Sequence, residues 1–175
     1  MAVIGMGLYA YRLLNRSQSG TAAETRTISP PASGPQRRAV LMLASDKRAG
    51  LERREVETPL PQDPSLRAQE LIRLLLASYA AEGSQHPLSK SADVRQVFFL
   101  QGDLAVLDMN AAFADKHPSG AQTEQLTLDS ILETMAANFP QIKRVKILVE
   151  GRERDKLAGN ADLSTVLTVK TSPGH

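Results

Sequence analysis

The sequence predicts an α/β domain of the α+β kind: a small mixed sheet covered on one face by two helices, with an N-terminal β-hairpin ahead of it. Three observations predict it. The first is residues 127–151, TLDSILETMAANFPQIKRVKILVEG. Leu128, Ile131, Met135 and Phe139 recur there at helical spacing, Pro140 interrupts, and Val145, Ile147 and Val149 then alternate. A change of apolar period across a proline marks a helix running into a strand. The second is residues 66–81, LRAQELIRLLLASYAA, where strong helix formers place Ala68, Leu71, Ile72, Leu75 and Tyr79 on one face. The third is residues 94–109, two apolar runs joined by Gly102-Asp103, which reads as a short antiparallel hairpin.

The remaining elements follow in order. Residues 1–14, MAVIGMGLYAYRLL, are apolar for about eleven positions before Arg12, whereas a membrane-spanning helix needs about 20. Residues 1–16 are therefore read as a truncated membrane anchor or signal-anchor remnant, with a short interfacial helix and a buried segment as the competing readings. Arg12 and Arg16 follow the apolar run, which by the positive-inside rule argues against export unless upstream charges outweigh them. Residues 17–36 are rich in Ser, Thr, Gly, Ala and Pro and carry one large apolar residue, Ile28. Such a stretch cannot bury enough surface to offset its ordering entropy and predicts a disordered linker, with a root-mean-square span of roughly 25 Å. Stub, tether and folded domain is the layout of a membrane-anchored protein.

The folded domain is expected over residues 37–170, with a frayed tail at 171–175. Ala39 to Leu43 reads as a strand, and LERREVET at 51–58 as the charged edge strand of a hairpin, which discourages edge-to-edge pairing. Asp63 before Pro64 predicts an N-cap with proline in the first helical turn, and Gly83 the end of that helix. Residues 115–122 read as a loop, and Thr123 or Thr127 as the cap of the second helix. Residues 166–169 close the domain with an apolar run.

Composition excludes several classes. The apolar fraction of 42% can form a core, and with four Phe, three Tyr and no Trp that core must be aliphatic. The 21 cations and 19 anions give a net charge of +2 and alternate along the chain, so nucleic acid is not an expected partner. Cysteine is absent, which removes disulfides, thiolate metal sites, a cysteine nucleophile and a lipidated cysteine together.

The search for chemistry ends without a catalyst. His86, His117 and His175 have no partners at metal-ligand spacing, and His86 and His117, each before a proline, read as surface loop residues. Asp103 and Asp108 flank one strand as an acid/base pair would, yet a turn residue and a strand-end cap explain them more simply. Ser130 and Ser164 lack a nucleophile elbow, and Gly102, Gly151 and Gly159 form no phosphate loop. No catalytic residue, cofactor or metal is expected. Lys143, Arg144, Lys146, Arg152 and Arg154 are the candidate recognition rim, suited to an anionic partner if it is exposed.

These residues also resemble a family. Val97-Phe98-Phe99-Leu100, then residues 103–110, then Phe113, are similar to the paired strands of the spore-germination GerMN domain. So are residues 130–134, Phe139-Pro140 and residues 145–151. Residues 157–164, LAGNADLS, resemble that family's closing Gly-His-x-Asp-Leu-Ser signature, with Asn160 where the family commonly has His. The resemblance covers roughly residues 38–167. It implies a fold like the ring-building modules of secretion systems and an exported, envelope-attached protein of sporulation, germination or envelope assembly. It implies no shared catalytic residues. The expected function is thus a non-enzymatic, single-pass membrane-tethered interaction domain, extracytoplasmic, whose partners are envelope proteins including further copies of itself. The alternative is a binding module for an anionic envelope polymer.

Overall fold

A computed structural model describes residues 34–100 and 102–169. The expected anchor at 1–16, nearly all of the linker and the tail at 171–175 lie outside the described residues. No helix among the described residues is long and apolar enough to cross a membrane.

Two strands open the domain, β1 (Gln36–Ser45) and β2 (Gly50–Pro59), paired antiparallel from Gln36↔Pro59 to Ser45↔Gly50. The base of this hairpin is tight. A Cβ on Gly34 would lie 2.0 Å from the Leu60 carbonyl oxygen, so only glycine fits there. Helix α1 (Pro64–Ala80) follows, and the Asp63 carboxylate accepts from the Leu66 N–H at 2.9 Å, as the Asp-Pro pair predicts. Strands β3 (Val94–Phe99) and β4 (Leu104–Met109) form the expected antiparallel pair. A short helix α2 (Ala111–Asp115) and the long α3 (Ala121–Asn138) cross over to β5 (Arg144–Val149), which lies parallel to β4. Parallel pairing needs such a crossover. Strand β6 (Leu167–Thr168) pairs antiparallel with the start of β5, giving the sheet order β3-β4-β5-β6.

Two local expectations differ from the structure. The loop expected at 115–122 is shorter, because α2 (Ala111–Asp115) runs into its start; Asn110 caps that helix, its Oδ1 accepting from the Phe113 N–H at 3.0 Å. Helix α3 starts at Ala121 behind Gly120, so Thr123 and Thr127 lie inside it and cap nothing.

The sheet and hairpin share one aliphatic core. Leu71, Ile72 and Leu75 of α1 join Ala105, Leu107 and Met109 of β4, Leu128, Ile131 and Met135 of α3, and Val145 and Ile147 of β5. Helix α3 buries a second, polar stripe as well. Ser130, Thr134 and Asn138 lie at i, i+4 and i+8 and face β1. Asn138 donates to the Val40 carbonyl and accepts from its N–H, at 2.7 and 3.0 Å. Thr134 Oγ1 accepts from the Met42 N–H at 3.0 Å, and Ser130 Oγ donates to the Met42 carbonyl at 2.6 Å. Tyr79 Oη accepts from the Ala44 N–H at 2.8 Å. One edge of β1 is thus satisfied by β2 and the other by helix side chains. That meets the demand of every buried backbone group for a partner without a third strand.

Candidate functional surface and the polar clusters beneath it

The five cations expected to form a rim do not come together. Lys143 is exposed at the start of β5, and Arg152 is exposed beyond its far end. A six-residue strand separates the two by roughly 20 Å. Arg144 is committed to Asp103, with Nε and Nη2 each 2.7 Å from Oδ1. This guanidinium, against the opposing effect of desolvation, holds the Asp103 carboxyl below its usual range. Arg154 is committed to Asp115 at 2.6 Å.

Lys146 corrects the expectation most clearly, since it is only 4% exposed. Its Nζ donates to the Leu163 and Ser164 carbonyls at 3.0 and 2.6 Å and pairs with Glu153 at 3.3 Å. Alternation correctly places Lys146 opposite the core residues of β5. The chain returning through residues 152–166 then covers that position, which alternation within one strand cannot reveal. Reversing the charge at Lys146 is therefore expected to cost about 3 kcal/mol or more, and at Lys143 under about 0.5 kcal/mol, in urea unfolding.

The returning segment is held by Glu124 of α3, a residue the sequence reading passed over. Its side chain is fully covered. One carboxylate oxygen accepts from the N–H groups of Ala158, Asn160 and Ala161 at 3.1, 2.9 and 2.8 Å. The other accepts from the Gly120 N–H at 3.1 Å and from Asn160 Nδ2 at 2.6 Å. Burial pushes the carboxyl up, but the Asn160 side chain and the backbone donors outweigh it and hold the group at about 2.

A second cluster lies alongside. His86 and His117 are buried, contrary to their reading as surface residues. Both aim Nε2 at Thr127 Oγ1, at 2.7 and 2.8 Å. His86 Nδ1 meets Asp46 of the β1–β2 turn at 2.7 Å, and His117 Nδ1 meets the Pro118 carbonyl at 2.8 Å. Burial lowers the His117 pKa, against smaller opposing contributions. A group so lowered resists protonation in the fold and accepts it when unfolded. Its stabilisation is complete above the ordinary value of 6.5 and falls away as pH drops below it. His117→Asn should flatten that part of the stability curve between about pH 7 and 5.5, measured by thermal melts.

Above these clusters is an open groove of about 590 Å³ lined by Asp115, His117, Arg154, Asp155, Lys156 and Gly159, among others. Both nitrogens of His117 are engaged below it, and Asp115 is paired with Arg154. The groove therefore presents an open surface of mixed charge, with Arg154 and Asp115 paired within it. Among the described residues no group of His, Cys, Asp or Glu could hold a metal ion. The one hint of the buried clusters in the sequence is the run Thr127, Ser130, Thr134, Asn138, small polar residues at helical spacing where an exposed face would carry charge.

A family model for sporulation and spore germination, Germane, matches residues 18–155. The chain belongs to the Germane family. Three solved structures are similar to this Germane chain in fold. The first GerMN domain of the sporulation protein GerM from Bacillus subtilis aligns over 78% of this chain and 99% of that one, at 18% identity and a TM-score of 0.58. The tandem GerMN domains of the same protein align over 77% of this chain and 46% of theirs, also at 18% and 0.58, so this chain spans about half their length. A candidate lipoprotein from Clostridium perfringens aligns over 85% and 93%, at 23% identity and a TM-score of 0.52. No curated protein matches the chain. The Germane match ends before the closing segment at 157–164, yet Asn160 has a clear role in it. Asn160, which stands where the resemblance has His, donates from Nδ2 to Glu124 at 2.6 Å.

Proposed function

We propose that this Germane protein is a non-enzymatic interaction domain, tethered to the cell membrane with its folded part on the extracytoplasmic side. It would assemble with envelope proteins or further copies of itself during sporulation, germination or envelope biogenesis. The observation that carries the reading is the employment of its reactive groups. The Glu124 carboxylate and the His86 and His117 imidazoles are all spent on joining loops, and the groove above them is open, with Arg154 paired to Asp115. Every buried side-chain nitrogen and oxygen among the described residues has a partner inside the fold.

The tether draws support from the apolar stub and polar linker of residues 1–36, and from the similar Clostridium perfringens structure described as a candidate lipoprotein. The alternative, a binding module for an anionic envelope polymer, draws less support because Lys146 is buried and Arg144 and Arg154 are paired.

Expressed whole, the protein should fractionate with membranes and be digested by protease added outside the cytoplasm. Deleting residues 1–33 should release it, and neither form should hydrolyse cell-wall substrate. Recovery of the whole chain in the soluble cytoplasm would sink the tether. Peptidoglycan turnover abolished by a single Asp or His change would sink the non-enzymatic reading. Unchanged retention on envelope extracts after Lys143→Glu with Arg152→Glu would remove the polymer reading.

A further inference from the structure

The polar stripe of α3 fixes which backbone groups of the hairpin face outward. Val40, Met42 and Ala44 turn their backbone groups toward Asn138, Thr134, Ser130 and Tyr79, away from β2. Backbone groups alternate sides along a strand, so Ala39, Leu41 and Leu43 face β2. The register pairs these three with Val56, Arg54 and Glu52. Leu51, Arg53, Glu55 and Glu57 therefore turn their N–H and C=O groups outward, along the far edge of β2. Among the described residues none of those groups has a hydrogen-bond partner. Glu52, Arg53, Arg54, Glu55 and Glu57 are all exposed.

We propose that this edge is a docking site for β2 of a second copy, paired antiparallel about a two-fold axis through Arg54. The proposal rests on the reading above in which further copies are among the partners, and it names the surface they use. Two strands share a ladder only where outward-facing residues meet outward-facing residues. That excludes every register that sets odd positions against even ones. The excluded set includes the register that would bring Glu52 onto Glu55 and Arg53 onto Arg54, like charges next to like.

Among the allowed registers, the one centred on Arg54 uses the whole edge. Leu51 meets Glu57 of the copy, Arg53 meets Glu55, and the two-fold repeats both pairs in reverse. Centring on Arg53 leaves Glu57 beyond the end of the partner strand and sets Arg53 against itself. Centring on Glu55 sets Leu51 against Pro59, which has no N–H, and Glu55 against itself. In the favoured register the two Arg54 side chains meet across the axis, with Glu52 of each strand as the adjacent charge on that face. Charge on an edge strand ordinarily opposes pairing. Here its alternation admits one register, in which Arg53 and Glu55 interlock twice. A strand edge alone is a small interface, so the contact is weak and forms where copies are concentrated.

The test is single-cysteine crosslinking on the full chain, which has no cysteine of its own. Arg54→Cys places two thiols in a directly opposed, non-hydrogen-bonded pair with Cα atoms about 4.5 Å apart, within reach of a disulfide. Arg53→Cys and Glu55→Cys leave the thiols two positions out of line with their copies, roughly 8 Å apart and out of reach. With a mild oxidant the first should form a covalent dimer at least about tenfold faster than the other two. A crosslink at 53 or 55 as fast as at 54, or at none of the three, would overturn the proposal. The second arm uses Arg53→Glu and Glu55→Arg, both on the exposed edge. Each alone sets like charges opposite each other and should self-associate about tenfold more weakly than the wild type in sedimentation. Mixed in equal amounts, they restore both ion pairs and should associate with each other as the wild type does. A mixture no stronger than its components would also overturn the proposal. So would protection of the Arg53 and Glu55 amides that appears only on adding envelope extract, which would assign the edge to a foreign strand. These readouts are separate from membrane fractionation: loss of the tether leaves the crosslinking pattern unchanged, and loss of the crosslink leaves the tether.

Discussion

Replacing Glu124 with glutamine is expected to destabilise the domain by about 3 kcal/mol, without changing the charge of any exposed group. The five donors around this carboxylate divide between two oxygens, three on one and two on the other. An amide offers one oxygen. Its NH₂ must then face two or three N–H groups that have no other acceptor, and a buried unpaired donor costs about 1–3 kcal/mol. The pH dependence has a definite sign. The carboxyl is held at about 2, below its ordinary 4.5, so its stabilisation is present above pH 4.5 and is lost as pH falls toward 2. Urea unfolding of the wild type should show a steep loss across that window, which Glu124→Gln should flatten. Parallel pH profiles for the two proteins would show that the carboxylate is not what holds residues 157–164. Because those residues also cover Lys146 and line the groove, the variant should expose both.

The second large effect is expected at Asn138. Substitution by alanine removes the partner of both the N–H and the C=O of Val40, and should cost about 2–4 kcal/mol. Adding Thr134→Val, which strips the Met42 N–H, should cost more, and the two changes should not add independently because they act on one strand edge. The test is hydrogen exchange. Amides of Val40 and Met42 should lose protection in the variant while those of β4 and β5 keep it. Uniform loss across the sheet would mean that α3 and the hairpin do not form a separable joint. The physical point is that a hydroxyl and an amide on a helix can complete the edge of a strand as well as another strand can.

Much of the fold is legible in residues close together in the chain. Asp63-Pro64 marks the start of α1, the period change at Pro140 separates α3 from β5, and Gly102-Asp103 turns β3 into β4. All are local effects of backbone geometry, proline and capping, and they read correctly. The candidate site is not legible in this way, because its partners lie far apart in sequence. Asp46, His86, His117 and Thr127 meet in one cluster although each stands in a different element or loop, and His86 and His117 look like ordinary residues before prolines. Glu124 looks like a solvated helix residue until the chain from 158 to 161 wraps around its carboxylate. Lys146 illustrates the limit of periodicity. Alternation says which face of β5 a residue occupies, but not whether a later segment will cover that face.

The sequence by itself determined the class of the domain, its aliphatic core, most of its elements and their order, and the family to which it belongs. Those depend on short-range propensity and on patterns of burial that repeat along the chain. Only the tertiary structure decided which polar residues are structural. It removed Lys146 from the expected rim, divided the remaining cations between the two ends of β5, and placed two histidines and a glutamate at the joints between loops. A buried polar group is stable only where partners converge on it from distant segments, and that convergence is a property of the packed chain rather than of any stretch of it.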